Sequence, residues 1–297
     1  MKNAIKKYLP LFLFTVFFIA GLSIMLYPVV SNVMKEREFD QVIVNYQKQV
    51  NTDIKQDSKK LLKEAENYNK GLTSATITDI FTSSEVESSS DYLEILDIDQ
   101  NGTMGYISIP KIDVKIPIYH GTSAKVLQKG VGHVEGSSFP VGGETTHSIL
   151  AAHRGLPSAR LFTDLDQMKK GDKFYIYIMD QVLAYQVDQI LVIDPSNTEP
   201  LQIQNGKDYI TLVTCTPYAV NTHRLLVRGA RIIEEEEKTE EKIEIASTTD
   251  PSKLALYVGL VLGIMILSIT IYIVRQIIKR STHLEDVSDT DTIEEMI

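Results

Sequence analysis

The stretch Tyr209–Arg231, YITLVTCTPYAVNTHRLLVRGAR, holds the chain's only cysteine, Cys215, at the end of an apolar run, and Arg224 opens the next such run. A thiol placed where a strand gives way to a loop is held rigidly yet stays open to a cleft, and nucleophilic catalysis needs both. A lone cysteine can equally be a small buried hydrophobe. Pro217 and Tyr218, which begin a loop directly after it, weigh against that reading. At neutral pH a thiol nucleophile needs a partner base, most often a histidine. His153 ends SILAAH, where an apolar run stops ahead of Gly155, and His223 adjoins Arg224. Either could serve, and spacing alone does not choose between them. His120, His133 and His147 are expected in turns as solvated polar residues, and His283 lies beyond the last apolar segment. Arg224 could stabilise an oxyanion, or could simply end a strand in solvent. The histidines show no metal-ligand spacing, and no dinucleotide or phosphate loop is present.

Positioning such groups calls for rigid strands. From Met104 onward the chain breaks into short β-type runs punctuated by Gly, Pro and Asp: Met104–Ile109, Val114–Tyr119, Ser148–Ala152, Lys173–Ile178, Ala184–Ile193, Tyr209–Thr214 and Arg224–Ile233. Seven or eight short strands with turn signals between them predict a barrel or sandwich. Helices are expected over Ser123–Lys129 and about Ala159–Met168. Upstream, Phe39, Val42, Tyr46, Val50, Ile54, Leu61, Ala65 and Tyr68 recur at helical spacing up to Gly71, which predicts a helical stem packed on the barrel or standing as a spacer. Thr73–Asp91, rich in Ser, Thr and acids, reads as a long exposed loop. The acidic tract Glu234–Glu244 reads as a solvated linker.

Two segments lack any charge, Tyr8–Val30 and Leu254–Val274. Each is long enough to cross a bilayer as a helix. The first exceeds the apolar core of a signal peptide and ends without a small-residue cleavage site, so it reads as an uncleaved anchor. Lys2, Lys6 and Lys7 favour a cytoplasmic N-terminus; two spans then return the C-terminus inside and leave the region between them outside. The resulting plan is a cytoplasmic N-terminus 1–7, span 8–30, helical stem 31–71, loop 72–97, β-strand domain 98–233, acidic linker 234–253, span 254–274 and cytoplasmic tail 275–297. A net charge of −9 argues against nucleic acid as a partner.

Taken together, TLVTC with an arginine nine positions on and HRG upstream resembles the sortase transpeptidases of Gram-positive cell surfaces. GYISIPKIDVKIPIYHGTS, GVGHVEGSSFPVGGE, AAHRGLPSARLFTDLD and TCTPYAVNTHRLLVRG are similar to the pilus-assembly branch, class C, over about Gly105–Ile233. The resemblance implies a mainly β fold, an eight-stranded sortase-type barrel with short helices, preceded by the stem and flanked by two transmembrane helices. It also selects His153 as partner of the nucleophile Cys215, with Arg224 stabilising oxyanion and substrate. The implied reaction cleaves an LPXTG-like sorting signal between Thr and Gly through a thioacyl enzyme. A pilin lysine amine then resolves it, with no metal or organic cofactor. Pilin subunits, an amine acceptor and the membrane are the expected partners, with the site a stem's length above the bilayer.

Class C enzymes typically close their groove with an Asp-Pro-aromatic lid. Here the nearest match is TDIFTSSE, in which Asp79 and Phe81 take the outer positions and Ile80 stands in place of proline. Without proline's fixed φ the turn is expected to be looser. Three other functions fit the sequence less fully: anchoring of surface proteins to peptidoglycan, a non-catalytic membrane-bound adhesin or scaffold, and a thiol protease.

Overall fold

The computed structural model describes residues 2–52, 57–72, 81, 89–98 and 101–233, together with 259, 261, 264, 265, 268, 269 and 272. Asp79, Ile80, the acidic tract and most of the second apolar segment lie outside the described residues. The chain divides into two units, Met1–Glu241 and Lys242–Ile297. The described residues of the second unit are helical, with the Ser268 hydroxyl donating to the Ile264 carbonyl one turn back.

In the first unit eight strands close into a barrel in the order β1-β2-β3-β4-β7-β8-β6-β5. They are β1 Thr103–Ile109, β2 Val114–His120, β3 Val131–His133, β4 Thr146–Ala151, β5 Lys173–Ile178, β6 Gln181–Ile193, β7 Asp208–Thr216 and β8 His223–Ile232. Alternation along the strands splits the apolar residues between two faces. Ile107, Leu150, Phe174, Ile176, Ile210, Leu212, Leu225 and Val227 fill the main core. Ile149, Ala151, Val213 and Leu226 build a second, smaller cluster with Leu127, Val134 and Leu201. Strands β4 and β7 are consequently apolar on both faces and buried throughout most of their length.

Most of the expected strands and the helix Ala124–Lys129 are present. Two expectations about secondary structure are corrected. Instead of a helix over Ala159–Met168 the chain makes turns and one short 3-10 turn, Leu165–Gln167, because Leu161 takes a positive φ of 39°. The glycine-flanked turn expected around His133 is strand β3, running parallel to β2. A Cβ at Gly132 would sit 2.4 Å from the Gly121 carbonyl oxygen, so only glycine permits this approach.

The histidines expected in solvent are buried. His120 is gripped between the carbonyls of Gly102 and Ile95, 3.0 and 2.6 Å from its ring nitrogens. Nε2 of His133 donates to the Ser138 carbonyl at 2.9 Å, which leaves Nδ1 to face the Tyr92 hydroxyl at 2.9 Å. His147 lies between the Gln202 carbonyl and the Thr211 hydroxyl.

Ahead of the barrel runs α1, Lys2–Thr52, one continuous helix through the first apolar segment and into the stem. Among the described residues it is the one helix long and apolar enough to span a membrane, and it fits a membrane anchor. Its later half packs on the barrel through Val33, Phe39, Ile43, Tyr46 and Val50. Ser31 Oγ donates to the Ser158 carbonyl at 3.1 Å. The Tyr46 hydroxyl donates to the Met104 carbonyl and accepts from the Met179 amide. Tyr46→Phe strands both buried groups and is expected to cost about 2 kcal/mol, read as a lower urea midpoint at unchanged slope; an unaltered midpoint would show that this contact does not hold the stem. Helix α2, Ser58–Gly71, docks by its last turn, where the Asn69 side chain exchanges two hydrogen bonds with the Phe139 backbone at 2.7 and 3.0 Å, as a strand neighbour would.

Candidate active site

Cys215 is the last residue but one of β7 and Arg224 the second of β8, and the antiparallel register sets them directly opposite one another. β7 also pairs in parallel with β4, where Thr146 faces Asp208 and Ala151 faces Val213. Beyond the end of β4 the pairing persists: the Ala152 amide donates to the Val213 carbonyl, and Thr214 Oγ1 donates back to the Ala152 carbonyl at 2.8 Å. Continued one residue further, the same register places His153 beside Cys215. Two pairings thus bring three distant residues to the ends of adjoining strands. They lie on the strand face that carries the smaller apolar cluster, outside the main core.

Both Cys215 and Arg224 are nearly enclosed, at 8% and 7% exposure. Arg224 Nη1 donates to the carbonyls of Asn221 and His223, 3.1 Å from each, so the β7–β8 loop fixes the guanidinium. Positive φ angles at Ala219 and Asn221 fold that loop back. Burial lowers the His153 pKa below its usual 6.5, and at neutral pH the imidazole is uncharged. His223, the other candidate, is exposed, faces Thr216 across the ladder and lies near the Thr222 hydroxyl. Strand alternation turns it away from the face shared by Cys215 and Arg224.

Phe81 packs against this cluster. Its ring centroid is 5.9 Å from that of His153, and the Arg224 guanidinium carbon sits 5.2 Å from the same centroid. The ring also rests on the smaller apolar cluster. An aromatic pair and a cation–π contact together are worth about 1–2 kcal/mol. Phe81→Ala should therefore speed alkylation of Cys215 roughly tenfold and raise the His153 pKa as water reaches the ring. Unchanged labelling would remove Phe81 from any covering role.

Two neighbouring residues were given no site role by the sequence reading. Arg154 donates to the Thr163 carbonyl and the Thr216 hydroxyl and pairs with Asp166, which locks the segment leaving His153 against the end of β7. Tyr218 lies against Gly155, where a Cβ would come within 2.7 Å of its ring, and Gly155 holds a φ of +75°. Their adjacency to His153 and Cys215 in sequence was the available signal.

Comparison with known proteins agrees with this fold. The Sortase domain model matches residues 107–232. Sortase C1 of Streptococcus agalactiae is 50% identical, with 66% of this chain and all of that chain covered at a TM-score of 0.60. Sortase C of Streptococcus pneumoniae is 49% identical over 65% of this chain and 97% of that one, at 0.61. Sortase A of Bacillus anthracis is 32% identical over 44% of this chain. The chain spans about six-tenths of the length of the curated relatives it matches, 63% and 61% for the first two. Barrel topology, strand-end cluster and these likenesses agree: the chain belongs to the sortase family, in its class C branch.

Proposed function

We propose that this chain is a membrane-anchored cysteine transpeptidase that joins pilin subunits. The observation that carries the reading is the double register that sets Arg224 opposite Cys215 and His153 beside it. Structural neighbours are described as a sortase C informative on pilin substrate specificity and as a pilus-related sortase C, which supports pilins as the substrate class.

In the proposed reaction Cys215 Sγ attacks the threonine carbonyl of an LPXTG-like signal and passes its proton to His153. Arg224 stabilises the oxyanion that forms. As the Thr–Gly C–N bond breaks, His153 gives the proton to the leaving glycine amine, and a thioester remains on Cys215. A pilin lysine amine then attacks that thioester, His153 takes its proton, and the sulfur leaves as an isopeptide bond forms. The lowered pKa of His153 favours a neutral thiol–imidazole pair at the start. The smaller apolar cluster around Val213, Leu226 and Leu201 offers a floor for the signal's Leu and Pro side chains.

The lid reading extends to Asp79, two residues before Phe81 in sequence. The proposed topology keeps both termini cytoplasmic, with spans over 8–30 and 254–274 and the barrel outside. The test is incubation of the full chain in detergent with an LPXTG-type peptide and candidate pilins, read by mass spectrometry. A thioacyl adduct on Cys215 and an isopeptide-linked pilin product are expected. Products with a peptidoglycan amine alone would move the assignment to cell-wall anchoring, free acid alone would indicate a protease, and no adduct would reject transpeptidation.

A further inference from the structure

The barrel has two ends along α1, and the contacts identify which end is nearer the apolar half of that helix. The charge-free stretch ends at Val30, and its side chains Phe17, Ile24 and Met25 are exposed. Ser31, the next residue, already hydrogen-bonds Ser158, in the segment that leaves His153, and Val33 is buried. Tyr46, fifteen residues on and about 22 Å along the helix axis, meets Met104 and Met179 at the opposite end. The strand ends that carry His153, Cys215 and Arg224 therefore lie at the end next to the apolar half.

The surface there suits a lipid interface. Tyr218 and Val220 at the tip of the β7–β8 loop are 56% and 64% exposed, and Tyr218 rests on Gly155, three residues from Ser158. The nearby guanidiniums are matched by carboxylates, Arg154 with Asp166 and Arg160 with Asp164, which lowers the cost of approaching a headgroup layer. Tyrosine, with an apolar ring and a polar tip, concentrates at such interfaces.

We propose that this end of the barrel rests on the bilayer, with Tyr218 and Val220 seated among the lipid headgroups. The inference builds on reading α1 as a membrane anchor, and replaces a site raised by a stem's length with one opening at the membrane surface. A peptide emerging from the bilayer close to its own anchor reaches the crevice without a long extended segment.

The chain contains no tryptophan, so single substitutions report unambiguously. Full-length Tyr218→Trp and, independently, Val220→Trp are reconstituted in phosphatidylcholine vesicles whose acyl chains carry bromine near the headgroup, and the anchor variant in vesicles brominated near the chain end. Phe17→Trp reports on the anchor, and Val182→Trp, at the Tyr46 end of the barrel, on the distal surface. The expected result is loss of emission for Tyr218→Trp and Val220→Trp approaching that of Phe17→Trp, with Val182→Trp unquenched. Quenching of Phe17→Trp without either loop variant overturns the proposal and leaves the anchor standing. Equal quenching of Val182→Trp overturns the orientation. An unquenched Phe17→Trp removes the anchor and the proposal with it.

Discussion

Cys215→Ala is expected to abolish both the thioacyl adduct and the isopeptide product, a loss of at least about 10⁴-fold in turnover. The expectation rests on the absence of a substitute: no other sulfur of this type exists in the chain. Thr214 and Thr216 bracket the position, but strand alternation points them to the other face, and Thr214 is spent on the Ala152 carbonyl. The substitution removes one atom from a nearly enclosed site and should leave the fold intact, with a stability change on the order of 1 kcal/mol. Peptide affinity, measured separately, should survive. Mass spectrometry with an LPXTG-type peptide and pilin acceptor reads the result. Product formation by the alanine variant would place the chemistry elsewhere and return the barrel to a scaffold.

Acidification should destabilise this barrel well before carboxylate titration dominates. Burial lowers His133 to about 3 and His147 to about 4 from an ordinary 6.5. For His133 the Ser138 carbonyl opposes that shift, and nearby His120 adds to it. For His147 the Gln202 carbonyl and Asp188 oppose it, while Arg228 adds to it. In the fold both rings stay neutral through mild acid, whereas in the unfolded chain each takes up a proton below about pH 6.5. Stability is complete above that value and falls with pH by about 1.4 kcal/mol per unit for each ring. At pH 5 the two together amount to about 4 kcal/mol, against a typical domain stability of about 5–15 kcal/mol. Asp40 and Asp208, both raised by burial, take up protons in the fold and offset part of the loss at the acid end. The slope is therefore best read from urea midpoints between pH 6.5 and 5. His147→Gln should reduce it by about one proton. Equal midpoints at pH 7.5 and 5 would mean that water reaches both rings.

The placement of the candidate residues was largely legible because they sit at strand ends, and strand ends announce themselves. Cys215 and Arg224 flank one hairpin, so sequence proximity carried the pairing. His153 was legible as a candidate only: its place beside Cys215 comes from the parallel β4–β7 ladder, a contact between distant segments that no local pattern encodes. The same reason hid the other histidines. His120, His133 and His147 look like turn residues because the carbonyls that hold them, from Ile95, Ser138 and Gln202, belong to separate loops. Strand β3 spans Val131–His133 and carries a glycine at its centre, too short for a period-two pattern to register. The helix expected over 159–168 fails because the segment answers to Arg154, which draws on the Thr163 carbonyl and Asp166, rather than to its own periodicity.

The amide pairing of Asn69 with Phe139 bears on how the crevice is occupied. Together with the grip of His120 on the Ile95 carbonyl, it nails down the chain on both sides of Phe81. Ser89, whose amide and hydroxyl both donate to the Glu135 carboxylate, is a nearer tether, and at ~3.3 Å per residue the benzyl group can never stray beyond about 26 Å from it. As the proposed lid, a ring on so short a leash competes at an effective concentration of about millimolar, and a peptide that binds more weakly than that is expected to find the seat already taken.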